Sequence, residues 1–236
     1  MIYLRLAAIS LWLVVCCLFG LVLCVVKWGD TNLDRVFGRF FAWGARLICS
    51  LRVHVEGEDH MESRKPCVYV ANHQSGLDMA TFGTVYPFRT VVVGKKELLY
   101  IPFFGLFFKA AGNIVLNRQK RVTAVASLRV AADQIRARQL SVWIFPEGTR
   151  NRTTDPMLPF KKGAFYMAIQ AGVPIVPVVC APIGGLVSWK EKRMEGGDVR
   201  IRVLAPIETS SYGEKDVDRL ADDVRALMIE ALRELS

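Results

Sequence analysis

Residues 6–26 form a run of 21 amino acids without a single charge, bounded by Arg5 on one side and by Lys27-Trp28 on the other. A stretch of this length and polarity has to be buried, in lipid or in protein, and it restricts the fold more than any other part of the chain. As an α-helix it is long enough to cross a hydrocarbon layer. A cleaved signal peptide would have a shorter apolar core and a small-residue cleavage site. The alternative to a membrane helix is a core helix, and length alone does not separate a spanning helix from one that dips into a single leaflet. Positive charge is denser after the run than before it, with Lys27, Arg35, Arg39, Arg46 and Arg52 against Arg5. If the run spans, the positive-inside bias puts the rest of the chain in the cytoplasm, at a bacterial inner membrane or its equivalent.

Past Gly29-Asp30, residues 33–51 read as a second helix with sorted charges. At roughly 100° per residue, Arg35, Arg39 and Arg46 fall within roughly 40° of one another. Phe37, Phe40, Phe41, Trp43, Leu47 and Ile48 spread over the remaining faces. The pattern fits a helix at a membrane surface, with guanidinium groups towards anionic head groups. Its alternative is an amphipathic helix docked on the protein's own core. Residues 1–50 are therefore expected to be membrane-anchoring helices and residues 51–236 a globular domain. A hydrophobic fraction of 52% agrees with apolar sequence meant for lipid.

The formal charge of +9 has three common uses: nucleic acid, anionic membrane, or a phosphorylated small molecule. No nucleic-acid-binding motif appears, so an anionic membrane surface and anionic substrates account for the charge better. Cys16, Cys17 and Cys24 lie in the apolar run, while Cys49, Cys67 and Cys180 stand singly with no C-x-x-C spacing. This predicts reduced, buried thiols and no metal site.

From residue 51 onwards short apolar runs alternate with helical stretches. Strands are expected at 53–56, 68–71, 90–93, 114–116, 142–145, 175–179 and 199–204. Helices are expected at 79–85, 103–111, 121–138, 163–170 and 215–235. The alternation predicts an α/β architecture with a mostly parallel sheet flanked by helices. Ligands in such sheets bind at the carboxyl ends of strands.

Four polar or proline-marked clusters follow or flank these strands. Val70-Ala71-Asn72-His73-Gln74-Ser75-Gly76-Leu77-Asp78 begins as a strand, breaks at polar residues and restarts as a helix. On one helix, His73 and Asp78 would point apart, whereas across a turn they can meet. A carboxylate accepting from one ring nitrogen leaves the other free to take a proton from a hydroxyl. Gly94-Lys95-Lys96-Glu97-Leu98 follows the next strand, and Arg118 ends the one after it, where a guanidinium can contact a phosphate. Phe145-Pro146-Glu147-Gly148-Thr149-Arg150 packs a carboxylate, a glycine, a hydroxyl and a guanidinium onto one strand-end loop. Val173-Pro174-Ile175-Val176-Pro177 is an apolar strand flanked by prolines.

In this order and spacing the clusters resemble those of the glycerolipid acyltransferases. Asn72 to Asp78 is similar to that family's N-H-x-x-x-x-D motif, and Phe145 to Arg150 matches F-P-E-G-T-R. Gly94 to Leu98 with Arg118, and Val173 to Pro177, resemble the two remaining motifs. One departure is visible: the family often carries an acidic residue where this chain has Asn117.

The resemblance implies transfer of a fatty acyl group from a thioester, acyl-CoA or acyl carrier protein, to the sn-2 hydroxyl of lysophosphatidic acid. His73 would be the general base and Asp78 its orienting partner. Arg150 and Arg118, with Lys95 as a third, would contact the substrate phosphate, and Glu147, Gly148 and Thr149 would shape the substrate-binding loop. Neither a metal nor a bound cofactor is implied. The absence of G-x-S-x-G agrees with direct attack by the substrate hydroxyl. Two alternatives stand beside this reading: acylation of another lysolipid, such as a lyso-ornithine lipid, and a non-catalytic, membrane-anchored binder of anionic lipid.

Overall fold

A computed structural model of the chain describes residues 2–63, 66–116, 121–188 and 191–235. Helix α1 (Ile2–Val26) runs through the apolar stretch and is followed by α2 (Leu33–Cys49). Ser50 ends α2 in the left-handed region, its N–H reaching back to the carbonyls of Arg46 and Leu47. The chain continues through β1 (Leu51–Glu56), α3 (His60–Ser63), β2 (Val68–Ala71), α4 (Asp78–Phe82), β3 (Thr90–Lys95), α5 (Phe104–Ala110) and β4 (Ile114–Leu116). It closes with α6 (Arg121–Arg138), β5 (Ser141–Ile144), α7 (Gly163–Ala171), β6 (Ile175–Cys180), β7 (Val187–Ser188), β8 (Arg193–Met194), β9 (Gly197–Val203) and α8 (Val217–Leu235).

Seven strands form one sheet in the order β1-β9-β6-β2-β5-β3-β4. Five of them, β6, β2, β5, β3 and β4, are mutually parallel. β9 pairs antiparallel with β6 and parallel with β1, so the last two strands run the opposite way. The expected mostly parallel sheet is present, and this reversal at one edge is the part that strand-helix alternation does not specify. Also unanticipated were α3, the small antiparallel β7–β8 ladder, and 3-10 turns at Gly83–Val85, Lys96–Tyr100, Gly184–Leu186 and Glu214–Asp216. The helix expected over 79–85 is split accordingly, into α4 and the first of these turns.

Central strand β2 is buried along its whole length, which its Val-Tyr-Val-Ala sequence suits because side chains of both faces must be apolar. Val68 and Val70 face a core shared with α7 and α8. Tyr69 and Ala71 face the opposite core, where Trp143 stacks on Tyr69 at 5.8 Å and meets Phe82 at 5.5 Å and Tyr86 at 5.7 Å. Helix α8 reads as an amphipathic helix should, burying Val217, Leu220, Ala221, Val224, Met228, Ala231, Leu232 and Leu235 at spacings of three and four.

The N-terminal helices lie on the second face. Helix α2 buries Phe37, Phe41, Ala42 and Ala45 against the protein, and leaves Val36, Trp43 and Leu47 exposed. Phe37 stacks on Phe107 of α5 at 4.2 Å, and Trp12 of α1 donates to the Phe41 carbonyl at 3.0 Å. Gly83 permits the close approach of α2: a Cβ there would lie 2.5 Å from the Gly38 carbonyl oxygen. One apolar face of α2 thus meets the protein rather than lipid, the arrangement held above as the alternative. Helix α1 is different. It buries Ile2, Cys16, Cys17, Gly20 and Cys24 and exposes Leu4, Leu11, Val22 and Val25. All six cysteines are buried thiols, as expected.

Candidate active site

Strand β2 delivers Asn72 and His73 at its carboxyl end. The buried Asn72 amide bridges to the next strand, donating to the Cys180 carbonyl at 3.0 Å and accepting from the Cys180 N–H at 2.9 Å. Gln74 continues this seam with contacts to the carbonyls of Cys180 and Ala181 and to the Ile183 N–H. The chain then turns through Ser75 and Gly76 into α4, whose first residue is Asp78. Its carboxylate closes the turn: Oδ2 accepts from the Gln74 N–H at 2.9 Å, and Oδ1 from the Ser75 N–H at 3.0 Å.

The same Oδ2 lies 2.5 Å from Nδ1 of His73. The Asp78 side chain is 3% exposed and that of His73 21%. His73 stacks on Phe145 with ring centroids 4.2 Å apart and planes inclined by 18°. With Nδ1 donating to a carboxylate and the ring clamped, Nε2 is left as the acceptor nitrogen. The sharp turn that lets His73 and Asp78 meet is therefore built from backbone N–H groups that Asp78 itself gathers.

Strand β5 brings the second loop alongside. Gly148 takes a φ of 70°, and its N–H returns to the Phe145 carbonyl at 3.0 Å, which folds Glu147 inward. Glu147 is 2% exposed. Its carboxylate accepts from the His73 N–H at 2.7 Å and from the Leu158 N–H at 2.9 Å. Burial raises the Glu147 pKa, while these two N–H groups pull it back down. Both oxygens being engaged, Glu147 ties the histidine loop to the 145–158 loop rather than offering a free acceptor to a substrate. The Asn151 N–H adds a second tie, donating to the His73 carbonyl at 2.7 Å.

These loops open onto a cavity of about 1180 Å³. Asn72, His73, Gln74, Glu147 and Arg150 line it, together with Leu6 and Ile9 of α1, Met194, and Leu232 and Arg233 of α8. Arg150 is exposed towards it. Thr149 is exposed outside the lining, so the structure does not bring it to the cavity. Gly148 shapes the loop without lining it. Lys95, at the end of β3, is exposed and also lies outside the lining, which removes it from the group around His73. Arg118 falls outside the described residues. The lining residues from α1 and α8 were not singled out from the sequence, since nothing local marks residues from the two ends of the chain as neighbours.

Cys180 is the thiol nearest this group. Burial pushes its pKa up to about 12 and the Asp78 charge pushes the same way, so it stays a neutral thiol. Among the described residues no group of three or more His, Cys, Asp and Glu side chains is arranged to hold a metal ion. The chemistry the site can perform is proton abstraction by His73 Nε2 from a group held beside Arg150.

An acyltransferase family model matches residues 52–181. The chain is 36% identical over 231 residues to the 1-acyl-sn-glycerol-3-phosphate acyltransferase of Salmonella typhimurium, an alignment covering 98% of this chain and 93% of that protein. It is 36% identical to the Saccharomyces cerevisiae protein of the same name, over 99% of this chain and 78% of the relative. It is 35% identical to 1-acyl-sn-glycerol-3-phosphate acyltransferase alpha of Homo sapiens, over 99% and 82%. The crystal structure of the 1-acyl-sn-glycerophosphate acyltransferase of Thermotoga maritima has the same fold: the TM-score is 0.70 at 23% identity, over 100% of this chain and 98% of that one.

Proposed function

The chain belongs to the acyltransferase family, and on that premise we propose that His73 and Asp78 drive acyl transfer to lysophosphatidic acid. The reaction is acylation of the sn-2 hydroxyl of lysophosphatidic acid to phosphatidic acid, a step of phospholipid synthesis. The observation that carries the catalytic assignment is the 2.5 Å contact between His73 Nδ1 and Asp78 Oδ2, with Nε2 left to act on a ligand in the cavity.

His73 Nε2 takes the proton from the hydroxyl as its oxygen attacks the thioester carbonyl. A C–O bond forms, the tetrahedral carbon collapses, and the C–S bond breaks. The imidazolium returns the proton to the departing thiolate, which leaves as the free thiol. Asp78 holds the reactive tautomer and stabilises the imidazolium, the part a carboxylate plays in a hydrolase triad. No enzyme nucleophile takes part, in keeping with the neutral, buried Cys180. Arg150 supplies the contact for the acceptor's phosphomonoester, and charge-assisted bonds of this kind contribute about 1.5–3 kcal/mol each when partly dry.

The donor is the thioester of coenzyme A or of acyl carrier protein; both are substrates. Residues 1–50 anchor the enzyme to the membrane with residues 51–236 on the cytoplasmic side, a reading supported by Leu6 and Ile9 of α1 lining the cavity. Helix α1 suits this role by its length of 25 residues and by the absence of charge over residues 6–26.

The deciding assay supplies radiolabelled oleoyl-CoA or oleoyl acyl carrier protein to membranes containing the protein, with a panel of lysolipid acceptors. Label is expected in phosphatidic acid when lysophosphatidic acid is the acceptor. Incorporation only into another lysolipid would overturn the acceptor, and incorporation into none would overturn the reaction.

A further inference from the structure

The cavity is larger than the roughly 300–1,000 Å³ typical of a single small-molecule site, and its two ends differ in character. It straddles the carboxyl edge of the sheet. On one side its walls are Leu6, Ile9 and Met194, which belong with the core beneath α1. On the other side they are the 151–156 loop and the end of α8, on the face of the α7–α8 core. One end is therefore apolar and faces the membrane helix, and the other carries Arg152 and Arg233.

Like Arg150, the two arginines are uncommitted among the described residues, unlike several guanidinium groups elsewhere in the chain. Arg52 pairs with Asp198, Arg202 with Glu56 and Glu234, Arg136 with Asp133, and Arg225 with the carbonyls of Met157 and Leu158. Arg152 and Arg233 are exposed on the cavity wall and engage no acceptor among the described residues. Glu234, next to Arg233, is already taken by Arg202, and Asp155, which also lines the cavity, is in no ion pair with either arginine. Nor are they on loose chain. Asn151 accepts from the Thr153 N–H at 3.0 Å and from its hydroxyl at 2.8 Å, and donates to the Asp155 carbonyl at 2.7 Å. Its own N–H is fixed to the His73 carbonyl, so Arg152 is held at a set place relative to the base. Arg233 follows the buried Leu232 on α8.

We propose that Arg152 and Arg233 bind the phosphate groups at the head of the pantetheine arm of the acyl donor, at the end of the cavity away from α1. The inference rests on the reading of the chain as a thioester-dependent acyltransferase. Coenzyme A and acyl carrier protein both present phosphate on a pantetheine arm, and guanidinium groups suit phosphate oxygens in pairs. Direct attack by the acceptor hydroxyl needs both substrates bound at once. The two-ended cavity divides them, with acyl chains towards the α1 side, the thioester carbonyl beside His73, and the donor's phosphates towards α8.

The test is steady-state kinetics on the full chain in detergent or membranes, with Arg152→Gln, Arg233→Gln and the double variant. Oleoyl-CoA and oleoyl acyl carrier protein serve as separate donors, and lysophosphatidic acid as acceptor. At low salt each single change is expected to raise the donor KM about tenfold, the double change more, with the acceptor KM within about twofold of wild type. Salt should raise the wild-type donor KM and hardly move that of the double variant. Arg152→Lys should recover part of the loss, because charge remains. A rise with oleoyl-CoA alone assigns the nucleotide's phosphates, and a rise with the carrier assigns the phosphodiester of its prosthetic arm. An unchanged donor KM in an active double variant, or a rise in the acceptor KM alone, overturns the assignment and leaves the acyltransferase reading intact. Wild-type protein inactive on lysophosphatidic acid with both donors overturns that reading and the assignment together.

Discussion

Asp78 Oδ2 serves His73 Nδ1 at 2.5 Å and the Gln74 N–H at 2.9 Å with the same oxygen, so the group that orients the ring also holds the turn that brings the ring to it. Asp78→Asn keeps a single oxygen: the new NH₂ faces either the Ser75 N–H or, flipped, the Gln74 N–H and Nδ1, where it favours the tautomer protonated at Nε2. We expect kcat to fall by about 10²–10⁴-fold with the acceptor KM little changed. Single-turnover measurement of phosphatidic acid formation checks this, and a kcat within threefold of wild type would remove the orienting role.

Glu147 is expected to matter without touching substrate. A Glu147→Gln side chain can accept at only one oxygen, so its amide NH₂ must face the N–H of His73 or of Leu158. A buried donor left without an acceptor costs about 1–3 kcal/mol. Thermal unfolding should show that loss of stability, and kcat should fall through displacement of His73. Full stability in Glu147→Gln would mean that the loop is held by other contacts.

Asp34 gives the fold a pH dependence of known sign. It sits buried near the start of α2, accepting from Asn113 at 2.8 Å while Asn113 in turn accepts from the Val92 N–H at 2.6 Å. Burial pushes its pKa up from 3.8 to about 7, with the Asn113 bond pulling the other way. The folded chain thus holds a proton that the unfolded chain gives up, and this contribution to stability is present below the unfolded value and lost as pH rises through about 7. Asp34→Asn keeps the acceptor and removes the titration. Wild type and Asp34→Asn should be closest in unfolding temperature near pH 4, with the variant increasingly the more stable as pH rises to 8. A difference that does not widen with pH would place the carboxyl outside this linkage.

Arg150 is the lining cation on the motif loop that also carries Glu147. Arg150→Ala should raise the KM for lysophosphatidic acid about tenfold or more and leave the donor KM close to wild type. Kinetics at saturating donor separate the two, and an unchanged acceptor KM would put the phosphate elsewhere.

The sequence marked out the His73–Asp78 pair because an apolar strand broke at polar residues and restarted as a helix, and that break is a local signal. The strands were legible for the same reason: β2 and the residues of β4 carry short β-branched runs that end at polar residues. Direction was not local. Thr149 and Arg150 are adjacent, yet only Arg150 lines the cavity, because the turn at Gly148 decides which side chain points where. Lys95 belongs to the same set of motifs, but it sits at the end of a strand nearer the sheet edge, two places from β2. Nor could helical periodicity say what α2's apolar face meets: Phe37 and Phe41 meet the protein, whereas Trp43 and Leu47 remain outside. Leu6 and Arg233 line one cavity although they lie near opposite ends of the chain.

The assignment of His73 as the base is tested most directly by His73→Ala assayed for phosphatidic acid formation from labelled oleoyl thioester and lysophosphatidic acid, with membrane association measured on the same preparation. Transfer should fall by about 10⁴-fold or more while the protein remains in the membrane fraction. Turnover near that of wild type in the membrane-bound variant would contradict the account.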